Sequence, residues 1–222
     1  MSRLFEPNES VTRWTAGLNR TVAVLSIPML FFRLIQASSG DASAVKGAAD
    51  GLNSLIGLVG LVGAVLVLVW TYQAYSNLEP LGNYEPTLAT GWAVAGWLIP
   101  IASLVLPYLT LRELWQSSDH DLAPGDKEGR RAVPIPTSIY VWWATNLIPA
   151  LFALFTLSRI AFLTRAELIF GPGQRWLLWA VALNTAASIA ESFLFAEIIT
   201  EIQERQVARW HRLEARRHAG ND

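Results

Sequence analysis

Five apolar stretches dominate this chain, at Arg13–Gln36, Leu52–Asn77, Leu88–Trp115, Thr137–Ile160 and Trp176–Thr200. Each is near the roughly 20 residues that a helix needs to cross the hydrocarbon of a bilayer. They are too long and too uniformly apolar for barrel strands, which alternate with a period of two. A segment in lipid must satisfy its own backbone polar groups, so helix is the expected state of all five. The expected fold is therefore all-α: a transmembrane helical bundle of about five spans, one integral membrane domain over residues 1–222. Composition agrees, with 52% hydrophobic and 16% charged residues, against about 25% charged in soluble domains.

Several function classes fall away. The formal net charge of −1 offers no global basic footprint for nucleic acid. The chain has no cysteine, which removes disulfides, thiolate metal sites, cysteine nucleophiles and lipidated-cysteine anchors. Glu6 and Glu9 precede the first apolar run and no small-residue cleavage site follows it, so it is not expected to be a cleaved signal. No His-Glu-x-x-His, Gly-x-Gly-Asp, Gly-x-Ser-x-Gly or phosphate-binding glycine loop occurs. The histidines, His120, His211 and His218, lie in polar segments. Asp119-His120-Asp121 could touch a cation, but a short acidic loop with one histidine is ordinarily just solvated. No cofactor is implied, and the expectation is a protein that is not an enzyme.

Eight of the ten tryptophans (Trp14, Trp70, Trp92, Trp115, Trp142, Trp143, Trp176 and Trp179) fall near proposed span ends, as interfacial belts do. The third stretch admits two readings, because Pro100 and Pro107 interrupt it and each proline removes a backbone hydrogen bond. If it crosses, basic residues divide about six against ten; if it dips in and returns, about twelve against four. Charge favours return. Its length, its freedom from charge between Leu88 and Leu111, and tryptophan at both ends favour crossing, which is the reading adopted. Both readings place Gln116–Pro136 and the C-terminal tail in the cytoplasm.

Polar groups inside spans are the candidate functional residues, since an unpaired charge or amide in lipid costs several kcal/mol. Asn184, Ser188 and Glu191 share one face of span five, with Arg33 or Arg20 of span one, or amides on neighbouring helices, as the expected partners of Glu191. Gln73 and Asn77 close span two, and Asn146 precedes Pro149 in span four. With Pro100 and Pro107 as candidate hinges, these could line a cavity at broken helices; the bland alternative is hydrogen bonding between helices. Small residues at i and i+4 (Gly60 and Ala64, Gly91 and Ala95, Ala182, Ala186 and Ala190) read as packing faces that also permit a homo-oligomer. Residues 201–218 continue span five as a cytoplasmic helix. Its Arg205, Arg209, Arg212 and Arg216 form one stripe, suited to anionic lipid headgroups or to anchoring the topology.

The run Trp70-Thr71-Tyr72-Gln73-Ala74-Tyr75-Ser76-Asn77-Leu78, then Leu81-Gly82, Gly91-Trp92-Ala93-Val94, Trp97, Ile99-Pro100-Ile101, Pro107-Tyr108 and Arg112-Glu113-Leu114-Trp115 resembles a family of bacterial multi-pass membrane proteins, the domain of unknown function 4328 type. Ser103 stands where that family is expected to carry Asn, and Gln73 and Ser76 where relatives usually carry basic residues. The resemblance implies the bacterial cytoplasmic (inner) membrane and this span order, and no activity. The leading functional reading is a non-enzymatic membrane scaffold or regulator whose partners are the bilayer and its headgroups. The alternative is a small ion or solute channel or transporter using Glu191 and the proline-broken third stretch.

Overall fold

The computed structural model describes residues 5–39, 46–162 and 175–219. Among these all regular structure is helical, in the order α1 (Glu9–Ser39), α2 (Lys46–Ser76), α3 (Thr90–Ala95), a 3-10 turn (Ala102–Leu104), α4 (Leu106–Ser117), α5 (Lys127–Ala132), α6 (Thr137–Phe162) and α7 (Arg175–Ala219). Four helices are long and apolar enough to cross a membrane: α1, α2, α6 and α7. They coincide with the first, second, fourth and fifth apolar stretches. Helix α7 runs unbroken through 45 residues, so the charged tail and the last apolar stretch are one rod.

The third stretch does not form a fifth long helix. It is a hairpin: α3 leads in, a turn containing Pro100 reverses the chain, and α4 leads back. Its two ends meet, because Thr87 N–H donates to Glu113 Oε1 over 2.7 Å. A passage from one end of the bundle to the other would separate Thr87 from Glu113 by about 30 Å. The return reading therefore holds, and the crossing reading is corrected. The physical reason lies in the prolines. Pro107 occupies the first turn of α4, where its missing N–H is an orphan anyway and its fixed φ suits a helix start. It opens a new helix instead of bending an old one. Gly96 allows the two arms to touch, since a Cβ there would lie 2.5 Å from that of Leu106.

The first and last described segments lie together. Phe5 stacks on Trp210 of α7 with centroids 5.1 Å apart, and Asn77 exchanges hydrogen bonds with the Glu6 backbone at 2.9 and 3.2 Å. The N-terminus, the 77–88 loop, the 116–136 loop and the tail thus gather at one end, here called the base.

The core also sits toward the base. Trp70, Tyr75, Leu78, Leu111, Leu114, Trp142, Phe195, Ile199 and Ile202 pack as one buried cluster. Here several tryptophans depart from the belt reading. Trp70 and Trp142 are fully buried and Trp115 nearly so, and their indole N–H groups bond to Thr12 Oγ1, Glu191 Oε1 and the Pro134 carbonyl. A buried indole must find an acceptor. Trp14, Trp92 and Trp179 remain exposed, as an interfacial belt requires. Away from the base the long helices present Phe31, Leu58, Leu61, Val65, Leu151 and Leu183 outward, an apolar perimeter suited to lipid. The Gly60–Ala64 pair is not a seam within the chain, since a Cβ at Gly60 would meet nothing within 4 Å.

Candidate functional site

The hairpin positions the site. Its inner end carries Trp97 against Trp142 and Phe195, with centroids 6.0 and 5.5 Å apart. Trp143 Nε1–H clamps the returning arm by donating to the Leu104 carbonyl at 2.8 Å. Beside this contact stands Glu191 of α7, facing two cavities. One, of about 300 Å³, runs past Asn19, Gly60, Gly63, Ala64, Trp97 and Asn146. The other, of about 280 Å³, is bounded by Ser103, Pro107, Asn146, Pro149 and Ser188. Glu191, Asn146 and Trp97 border both.

Glu191 Oε1 accepts one hydrogen bond, from Trp142 Nε1 at 3.3 Å. Neither expected arginine reaches it: Arg20 pairs with Glu197 at 2.8 Å. The Trp97 Nε1 atom is buried with no hydrogen-bond partner among the described residues. The chamber thus offers a carboxyl, two amides, two hydroxyls and an indole donor whose hydrogen bond is unfilled among the described residues. Pro149 adds to this, because it cannot donate to the carbonyl of Thr145 one turn earlier.

The remaining sequence candidates divide. Ser188 and Asn146 join Glu191, as expected. Asn184 lies two turns above Glu191 on α7, with a buried Oδ1 that has no hydrogen-bond partner among the described residues. The pairs Thr12–Gln203 and Arg20–Glu197 give α1 and α7 an antiparallel register, which brings Arg33 level with Asn184. Arg33 Nε is likewise buried without a hydrogen-bond partner among the described residues. Gln73 and Asn77 do not belong to the chamber: Asn77 clamps the N-terminal segment at the base, and the buried Oε1 of Gln73 has no partner. Three of the four tail arginines face the protein's own loops. Arg205 bonds Asp119 at 3.0 Å and lies 4.1 Å over the Trp115 ring. Arg209 donates to the carbonyls of Leu81 and Asp119, and Arg212 pairs with Asp121 at 2.6 Å. Arg216 is exposed. These contacts also occupy both carboxylates of the Asp119-His120-Asp121 group, the cluster with metal-ligand spacing among the described residues.

A second polar centre, at the base, went unread in the sequence. Glu113 is buried, and its carboxylate accepts from Tyr75 Oη at 2.5 Å, Thr87 N at 2.7 Å and Thr87 Oγ1 at 3.1 Å. Arg130 lies 3.9 Å away and also donates to Asn83 Oδ1. This hub ties α2, both ends of the hairpin and α5 together. It borders an open cleft of about 320 Å³ lined by Gly82, Asn83, Lys127, Arg130 and Arg209. At the cleft's rim Lys127 bonds Glu85 at 2.8 Å, and that ammonium holds the Glu85 carboxyl below its ordinary pKa. The available signal was an acid beside Trp115 at the end of an apolar stretch.

A family model described as Domain of unknown function (DUF4328) matches residues 33–204. The chain belongs to this family. No curated protein and no solved structure matches it. The DUF4328 region takes in the hairpin, the Glu113 hub and the Glu191 chamber except for its α1 wall at Asn19. Most of α1, up to residue 32, and the end of α7 lie outside it.

Proposed function

We propose that this DUF4328 protein is a multi-pass protein of the bacterial cytoplasmic membrane that conducts or transports a small cation or protonated solute past Glu191. The observation that carries the reading is the meeting of the hairpin's inner end with Glu191. Non-helical backbone at membrane depth is tolerated only where protein buries it or where it lines a wet cavity, and an ionisable group at that depth ordinarily serves a pathway. Asn184 and Arg33 extend the polar column from the chamber toward the end opposite the base. The orientation follows from charge: Arg13, Arg112, Lys127, Arg130, Arg131 and the five tail arginines sit at the base, against Lys46, Arg159 and Arg175 toward the other end. Basic loops stay inside, so both termini face the cytoplasm. The scaffold reading has less support, because the arginines that would meet a partner are bonded to the protein's own loops.

Purified protein in liposomes should pass protons, an alkali cation or a small amine. Glu191→Gln should lower that flux about tenfold, the effect of losing about 1.4 kcal/mol of ligand interaction. No flux across such a panel, or equal flux in the variant, would sink the proposal and return the scaffold reading to first place.

A further inference from the structure

The largest groove among those described lies away from the chamber, between the first turns of α1 and the lower part of α7. It holds about 610 Å³ and is lined by Glu9, Arg13, Arg20, Gln203, Glu204 and His211, among others. Its depth in the bilayer follows from helix length. Arg20 to Ser39 spans about 30 Å at 1.5 Å per residue, the thickness of the hydrocarbon layer, so the groove sits in the headgroup layer, next to exposed Trp14.

Two features distinguish it from an ordinary lipid-facing surface. Gln203 is 5% exposed, and its Nε2 has no hydrogen-bond partner among the described residues. The direction of its amide follows from a relay. Trp70 Nε1 can only donate, and does so to Thr12 Oγ1 at 3.1 Å. Thr12 in turn donates to Gln203 Oε1 at 3.5 Å. The amide nitrogen is thereby left as a buried donor beside the groove that Gln203 lines. The second feature is charge of both signs. Arg20 is matched by Glu197, while Arg13, Glu9 and Glu204 form no ion pair among the described residues. Above the charged part, α1 continues the face of Arg13 and Arg20 with Val24, Ile27 and Phe31, all exposed, at helical spacing. A polar seat below an apolar lane has the shape of a phospholipid.

We infer that this groove is a binding site for a zwitterionic glycerophospholipid, its phosphate on Arg13 and the Gln203 amide and its ammonium toward Glu9 and Glu204. The acyl chains lie along Val24, Ile27 and Phe31. The site is independent of the transport reading.

The test is native mass spectrometry of the delipidated full chain in detergent, titrated with phosphatidylethanolamine, phosphatidylglycerol or soluble glycerophosphoethanolamine. Phosphatidylethanolamine should be retained above both others. Arg13→Gln and Gln203→Leu should each weaken its retention about tenfold, the scale of one charge-assisted hydrogen bond. Arg216→Gln, on the exposed tail, should not. Arg13 is exposed, so its variant keeps the test decisive if Gln203→Leu fails to fold. Equal retention of the two lipids, wild-type retention by Arg13→Gln, loss in Arg216→Gln, or equally tight binding of the soluble headgroup would each overturn the assignment.

Discussion

At the residue scale, burial turns single polar groups into structural commitments. The buried Glu113 carboxylate accepts hydrogen bonds from Tyr75, Asn83 and Thr87, with Arg130 beside it. Removing one member of a buried ion pair leaves the other charge uncompensated, at a cost of about 3–5 kcal/mol. Glu113→Ala should therefore unfold at a markedly lower temperature, followed by circular dichroism in detergent. Tyr75→Phe removes one bond to a charged acceptor and should lose about 1.5–3 kcal/mol. If Glu113→Ala melted like the wild type, the hub would be incidental. Glu191 is the contrasting case: it has one long bond and open space beside it, so Glu191→Gln should leave stability nearly unchanged while altering flux. That separation of stability from transport distinguishes a pathway residue from structural glue.

At the scale of elements, the hairpin is the unusual part. Its arms are short: α3 has 6 residues and α4 has 12. Neither could span a membrane at 1.5 Å per residue. What holds them together is close approach at Gly96, where a side chain would collide with Leu106, and the clamp from Trp143 to Leu104. Gly96→Val should push the arms apart and carry Trp97 away from Trp142. The expected result is a loss of about 1–3 kcal/mol from overpacking, together with a change in tryptophan fluorescence. Unchanged stability and emission would show that the arms do not need this contact.

At the scale of the molecule, four long helices and a returning hairpin leave every basal loop and both termini at one end. Because the chain has no cysteine, single cysteines report sidedness without background. Tyr84→Cys and Arg216→Cys, both at exposed basal positions, should react with a membrane-impermeant maleimide only after cells are opened. Asp50→Cys, at the exposed start of α2 near the opposite end, should react in sealed cells. Labelling of Tyr84→Cys from outside would mean that the third stretch crosses after all.

The sequence by itself determined the helical class, four of the long helices, the continuity of the tail with the last of them, and the grouping of Glu191 with Ser188. Those properties depend on local periodicity and apolar run length, which neighbouring residues carry. It also held the cue for return in its basic residues and prolines, but length and terminal tryptophans outweighed that cue. Only the tertiary structure decided that Trp70, Trp115 and Trp142 are core, that the tail arginines turn inward, and that Glu113 is the basal hub. A tryptophan at a headgroup layer and one wedged between helices have the same hydropathy and the same position along a span. An arginine stripe likewise looks the same whether it meets lipid or an acidic loop about 90 residues earlier. Which of these occurs depends on what the fold brings alongside, and that is set by packing between distant elements, not by any local pattern.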